Sequence, residues 1–144
     1  MGRDEGSLQT AHEAVVAVAA ELALALAAPA AAAGGNFFQL PSKNIGCAYN
    51  ASPASLRCDV RSGLKPEPKR RCELDWTGLE IRPTGRVAPT CAGDTAILPN
   101  APVLAYGKTW RRGGITCRSR TTGLRCTNRV GHGFTLARQS WRIF

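Results

Sequence analysis

The sequence predicts a small all-β domain, a barrel or a sandwich, stapled by disulfides. Three observations carry this. Six cysteines (Cys47, Cys58, Cys72, Cys91, Cys117 and Cys126) all fall after residue 46. No segment after residue 35 repeats its apolar residues at the helical period. Instead, short apolar or alternating runs are divided by Gly, Pro, Asn and Asp, the pattern of hairpin-linked strands. An even cysteine count behind an apolar leader reads as three disulfides in an exported protein.

The leader is residues 14–33, AVVAVAAELALALAAPAAAA, apolar except for Glu21 and ending in small residues before Gly34-Gly35. This is the form of a signal-peptide core with its cleavage site after Ala33 or a neighbouring alanine. Arg3 is the one basic residue ahead of it, beside Asp4, Glu5 and Glu13, where a basic stretch is usual; a translation start near Val15 or Val16 would account for that. An Ala-rich helix of the folded domain is the competing reading, but the run is apolar all round, unlike a surface helix. Pro29 and the small tail suit cleavage better than membrane spanning. The expected organisation is a signal peptide over 1–33 and a single secreted β domain over 34–144, with no transmembrane anchor after processing.

The strands expected in order are Asn36–Leu40, Asn44–Tyr49, Leu56–Val60, Cys72–Trp76, Gly78–Arg82, Thr95–Leu98, Val103–Tyr106, Gly114–Arg120, Gly123–Asn128 and Gly133–Arg138. Asp75-Trp76 is expected to lead into a turn at Thr77-Gly78, and Lys65–Arg71 to be an extended Pro-rich basic loop, because proline is excluded from central strands.

An imperfect repeat orders these pieces. Asn44-Ile45-Gly46-Cys47 leads to Leu56-Arg57-Cys58, as Gly114-Ile115-Thr116-Cys117 leads to Leu124-Arg125-Cys126. Ten residues separate the first cysteine pair and eight the second. Both counts are even, so turns centred at Ser52-Pro53 and Thr121-Thr122 set each cysteine opposite its partner. Side chains alternate along a strand, so register assigns faces. Ile45, Cys47, Tyr49, Leu56, Cys58 and Val60 share one face, with Ala48, Asn50, Arg57 and Asp59 on the other. Ile115, Cys117, Ser119, Leu124 and Cys126 point one way; Arg118, Arg120 and Arg125 point the other. Both hairpins become amphipathic together, which supports Cys47–Cys58 and Cys117–Cys126 and leaves Cys72–Cys91.

The same order of features resembles an uncharacterised family of secreted actinobacterial proteins, a domain of unknown function. The resembling residues are Phe38 to Ser42, Asn44-Ile45-Gly46-Cys47, Arg57-Cys58-Asp59, Cys72-Glu73-Leu74-Asp75-Trp76, Cys91-Ala92-Gly93-Asp94-Thr95, Tyr106-Gly107, Cys126-Thr127-Asn128 and Gly131-His132-Gly133-Phe134. The resemblance implies export and disulfides and carries no activity. Lys43 departs from it, standing where a small or Gly-like turn residue is expected.

Charge bounds the function. Residues 34–144 hold 18 Lys and Arg against 6 Asp and Glu, a net charge of +12. Such a field draws anionic polymers or an anionic envelope surface; Arg-rich composition alone produces the same number. Arg118, Arg120 and Arg125, with Arg111 and Arg112 nearby, are the candidate anion-binding residues. His132, the one histidine after residue 33, stands between two glycines. As a general acid it would need Asp94 to orient it and a carboxylate such as Glu73 as base, the outline of a small secreted phosphodiesterase; the competing reading is a turn before a strand. The cysteine spacings contain no Cys-x2-Cys, so neither a metal nor a cofactor is expected. The leading expectation is an exported, non-enzymatic module that binds an anionic envelope or extracellular partner. The alternatives are the hydrolase and an enzyme inhibitor presenting the Lys65–Arg71 loop.

Overall fold

Ten strands form two antiparallel five-stranded meanders in the computed structural model, which describes residues 34–144. The leader expected over 1–33 lies outside the described residues. The first sheet is β1 (Phe37–Gln39), β2 (Ile45–Ala51), β3 (Ala54–Val60), β4 (Asp75–Ile81) and β5 (Ala88–Ala92), paired in that order. The second is β6 (Thr109–Arg112), β7 (Ile115–Arg120), β8 (Gly123–Thr127), β9 (Gly133–Leu136) and β10 (Trp141–Ile143), likewise in order. Neither sheet closes on itself, so the architecture is two open sheets rather than a barrel. No helix among the described residues is long and apolar enough to cross a membrane.

The repeat seen in the sequence is the organising element of both sheets. Cys47 lies directly opposite Cys58, and Cys117 opposite Cys126. Each pair is flanked by one large side chain on either side. Phe38, Cys47, Cys58 and Leu79 form one cross-strand row; Trp110, Cys117, Cys126 and Phe134 form its counterpart. The rows share one buried core, and the Phe38 and Trp110 rings meet at 5.2 Å between centroids. Cross-strand apolar pairs are the unit of sheet stabilisation, and here each unit is covalently closed at its centre. The disulfides are Cys47–Cys58, Cys72–Cys91 and Cys117–Cys126.

These bridges differ in access. All four hairpin cysteines are fully buried, whereas Cys91 is exposed and Cys72 half-buried. Thiol–disulfide exchange requires a thiolate to reach a sulfur. Mild reductant under native conditions should therefore open Cys72–Cys91 first, with the hairpin bridges yielding only on unfolding. Alkylation and peptide mapping over time would check this; early labelling at Cys117 or Cys126 would contradict it.

Three expected elements are corrected. The two runs around Thr77 are one strand, β4, because a register shift between Trp76 and Gly78 accommodates the extra residue as a bulge rather than a turn. Thr95–Leu98 and Val103–Tyr106 are not strands; they belong to the connection between the sheets, and Val103 makes only a single bridge to Gln39. In their place β5, β6 and β10 are edge strands. Pro89 sits in β5, where an edge tolerates a missing N–H. Lys43, the departure noted above, has φ of 61°, and its N–H closes a turn on the Leu40 carbonyl. That left-handed conformation is the physical reason a glycine-like residue is expected there.

The connection between sheets is pinned by two buried polar side chains. The Gln39 amide donates to the carbonyls of Pro99 and Ala101. Asp59 faces outward, as register requires, yet is 1 % exposed. Its carboxylate accepts the N–H of Ala96 at 2.8 Å, so the connection covers it.

Candidate functional site

The outer faces of the two sheets have the same origin in sequence and opposite chemistry. Aligning the cysteine pairs sets Arg57 of β3 against Arg125 of β8, and Asp59 against Thr127. In the first sheet the arginine is held by acids. Arg57 donates from Nε to Asp59 Oδ1 at 3.1 Å and from Nη2 to Asp59 Oδ2 at 2.8 Å, a two-pronged contact. It donates further to the Asp94 carboxylate at 2.9 Å and the Asp94 carbonyl at 2.8 Å. The Thr77 hydroxyl donates to Asp59 Oδ1 at 3.1 Å. The bulge in β4 makes this possible by turning Thr77 to the outer face, where Gly78 already points. A Cβ at Gly78 would lie 1.9 Å from the Cys58 carbonyl oxygen and 2.7 Å from Asp59 Oδ1, so only glycine lets strand and carboxylate approach so closely.

Burial alone would lower the Arg57 guanidinium, but its hydrogen bonds and the charges of Asp59 and Asp94 outweigh that and hold it above its ordinary value. The hydrogen bond from Arg57, and then its charge, lower the Asp94 carboxyl. A depressed folded-state value stabilises above the unfolded value, about 3.9 for aspartate, and the contribution is lost as pH falls through the folded value. Wild type should therefore melt above Asp94→Asn at neutral pH, and the gap should close below about pH 4. A gap that persists in acid would show that Asp94 acts through shape rather than charge.

Beside this network lies a groove of about 640 Å³. Four of the six acids of residues 34–144 line it: Asp59, Glu67, Asp75 and Asp94. The remaining two stand near bases, Glu73 at 3.0 Å from Arg71 and Glu80 at 3.2 Å from Arg82. No cluster of His, Cys, Asp and Glu suited to a metal occurs among the described residues.

The second sheet has no such neutralisation. Residues 95–144 contain nine Lys and Arg and no Asp or Glu. On its outer face the register builds one row, Thr109, Arg118, Arg125, Thr135 and Arg142. Arg111 and Arg120 extend it to either side on the same face, and all five arginines are exposed. Among the described residues none of the five lies within ion-pair distance of a carboxylate. The Arg125 guanidinium rests 4.4 Å above the Phe144 ring, which itself packs over Gly133. Arg118 directly faces Arg125, and like charges placed so are destabilising.

Of the arginines singled out in the sequence, Arg111, Arg118, Arg120 and Arg125 come together here. Arg112 does not. It stacks on the Tyr49 ring at 4.7 Å and donates to the Asn36 side chain, tying the start of the domain to β6. Arg142 belongs to the face and was missed, since β10 has only three residues and shows no pattern alone.

The residues of the hydrolase outline do not converge. Asp94 follows β5 and bonds Arg57, at the Asp75 end of β4. His132 lies in the β8–β9 turn, which Asn128 fastens to the carbonyls of Arg82 and Gly85, beyond the other end of β4. The length of a seven-residue strand, roughly 20 Å at 3.3 Å per residue, separates the two ends. The His132 backbone N–H donates to the Asn128 side chain at 3.1 Å, completing the turn. Glu73 is exposed and paired with Arg71. The Lys65–Arg71 loop is braced by buried Leu64, by the Trp141 indole donating to the Pro66 carbonyl at 2.7 Å, and by Cys72–Cys91.

No curated protein and no solved structure matches the chain. A family model does match, over residues 19–144, nearly the whole sequence. On that match the chain belongs to the family of unknown function DUF6636.

Proposed function

We propose that this is an exported, non-enzymatic binding module whose second sheet engages an anionic polymer of the cell envelope or its surroundings. The observation that carries the reading is the acid-free arginine face: five exposed arginines on one sheet surface, within a 50-residue stretch lacking Asp and Glu. The repeat supplies an internal comparison. The same strand position holds Arg57 in one sheet, tied to Asp59 and Asp94, and Arg125 in the other, open to solvent. The bases divide evenly, nine in residues 34–94 and nine in 95–144, whereas all six acids fall in the first part, so it is the absence of acids that sets the second sheet apart. The opposed Arg118 and Arg125 cost stability that a bound polyanion would return. Three disulfides suit an oxidising, extracytoplasmic compartment.

Phosphates or carboxylates on a flexible chain would bridge neighbouring arginines across strands, which are about 4.8 Å apart. Binding of this kind releases counterions and weakens steeply with salt. The reading is tested by the salt dependence of polyanion affinity before and after the row Arg118, Arg125 and Arg142 is changed to glutamine.

A further inference from the structure

We propose that the cleft at the Arg120 end of the two sheets is a subsite for one acidic sugar unit, a uronate or phosphosugar, so that the polymer read by the arginine face is an acidic polysaccharide. This rests on the reading above. The cleft holds about 510 Å³, within the range of small-ligand sites. It is lined by Arg120 and Arg138, by the exposed Tyr106 ring, and by neutral polar side chains including Ser42, Asn44 and Gln139, over a floor of buried Leu40 and Ile45. No acid lines it.

The lining chemistry selects the ligand. A bare phosphate chain needs cations alone. Here two guanidinium groups stand among hydroxyl and amide groups that both donate and accept. An aromatic ring beside them offers a flat apolar surface with a polar tip. A polyol that carries an acid uses all three: its anion meets Arg120 and Arg138, its hydroxyls meet the neutral groups, and its ring face lies on Tyr106. Ser42 Oγ already accepts the Asn44 N–H at 3.3 Å, but most of the other polar groups are open for such a partner. Among the described residues, no side chain of Tyr106, Arg120, Arg138 or Gln139 makes a hydrogen bond or ion pair. The cleft also continues onto the face. A smaller adjoining cleft, lined by Arg120, Arg125 and Thr135, joins it to the arginine row. A polymer lying along the row would therefore enter the cleft by one end.

The test uses the intact domain, residues 34–144, and three probes: tetragalacturonate with four carboxylates, the oligonucleotide (dT)5 with four phosphates, and neutral maltotetraose. Tetragalacturonate should bind about tenfold more tightly than (dT)5, since each added hydrogen bond to a charged group is worth about 1.5–3 kcal/mol. Arg138→Gln and Tyr106→Ala should each weaken tetragalacturonate by about tenfold and leave (dT)5 unchanged. Both side chains are exposed, so both variants should melt as wild type does; should Tyr106→Ala fail to fold, Arg138→Gln decides alone. Equal affinity for the two charged probes, a preference for (dT)5, or tetragalacturonate binding undisturbed in Arg138→Gln would overturn the sugar subsite; a preference for (dT)5 would assign the cleft to nucleic acid. If Arg118→Gln/Arg125→Gln/Arg142→Gln binds (dT)5 as wild type does, the face reading fails instead. Arg120, shared by face and cleft, is left intact in every variant so that the two outcomes stay separate.

Discussion

Asp59→Ala is expected to cost about 3–5 kcal/mol, the range found when one partner of a buried ion pair is removed. Asp59 is 1 % exposed and its carboxylate accepts four hydrogen bonds: two from Arg57, one from the Thr77 hydroxyl and one from the Ala96 N–H. Without it the guanidinium loses its main partner and the Ala96 N–H is left buried and unpaired. The connection between the sheets also loses one of its two pins. A domain of this size has only about 5–15 kcal/mol of stability in total. Its melting temperature should therefore fall by on the order of 15–20 °C. Asp59→Asn keeps the shape and part of the acceptor capacity, so it should fall between the two. Replacing Arg57 and Asp59 together by leucine should recover much of the loss, because no buried charge then remains unpaired and the exposed Asp94 carboxylate is left to water. Urea or thermal melts of the four proteins check this. A loss under about 1 kcal/mol for Asp59→Ala would show that the network is an ornament of the surface and not a clamp.

Much of this fold is legible in the sequence, and the parts that are not share a physical cause. The two cysteine hairpins read correctly because both strands of each are central, so alternation, turn position and disulfide register all agree. β5, β6 and β10 lie at sheet edges, where one flank is solvent and a strand of three to five residues carries little period. The bulge at Thr77 was hidden because an inserted residue breaks alternation just as a turn does. Register places Asp59 on the outer face but does not show its burial, because its cover comes from the connection that follows β5, 37 residues away along the chain. That is a tertiary fact with no local signal.

The arginine face was partly legible for the same reasons. Arg118, Arg120 and Arg125 follow from hairpin register alone. Arg142 required β10, and Arg112 required knowing that Tyr49 and Asn36 stand beside the end of β6. One signal was present in the letters and passed over: the last Asp or Glu is Asp94. Splitting net charge at the boundary between the repeats, rather than summing it over the domain, shows which half is open to an anion.

The central claim is that the second sheet's face, and not net charge, binds polyanions. An equal-charge comparison tests it most directly. Arg118→Gln/Arg125→Gln/Arg142→Gln removes three positive charges from the face; Lys69→Gln/Arg70→Gln/Arg71→Gln removes three from the loop on the other half of the chain. The affinity of each protein for a single-stranded oligonucleotide is measured across salt concentrations. The slope of log affinity against log salt is about −0.7 for each phosphate neutralised on a single strand. The face variant should therefore lose about 2 units of slope, while the loop variant should change by under about 0.5. The face variant should also melt no lower than wild type, since it relieves the opposed Arg118 and Arg125 and gives up only a surface contact with Phe144. Equal loss of slope in the two folded variants would contradict the account and leave the charge as composition.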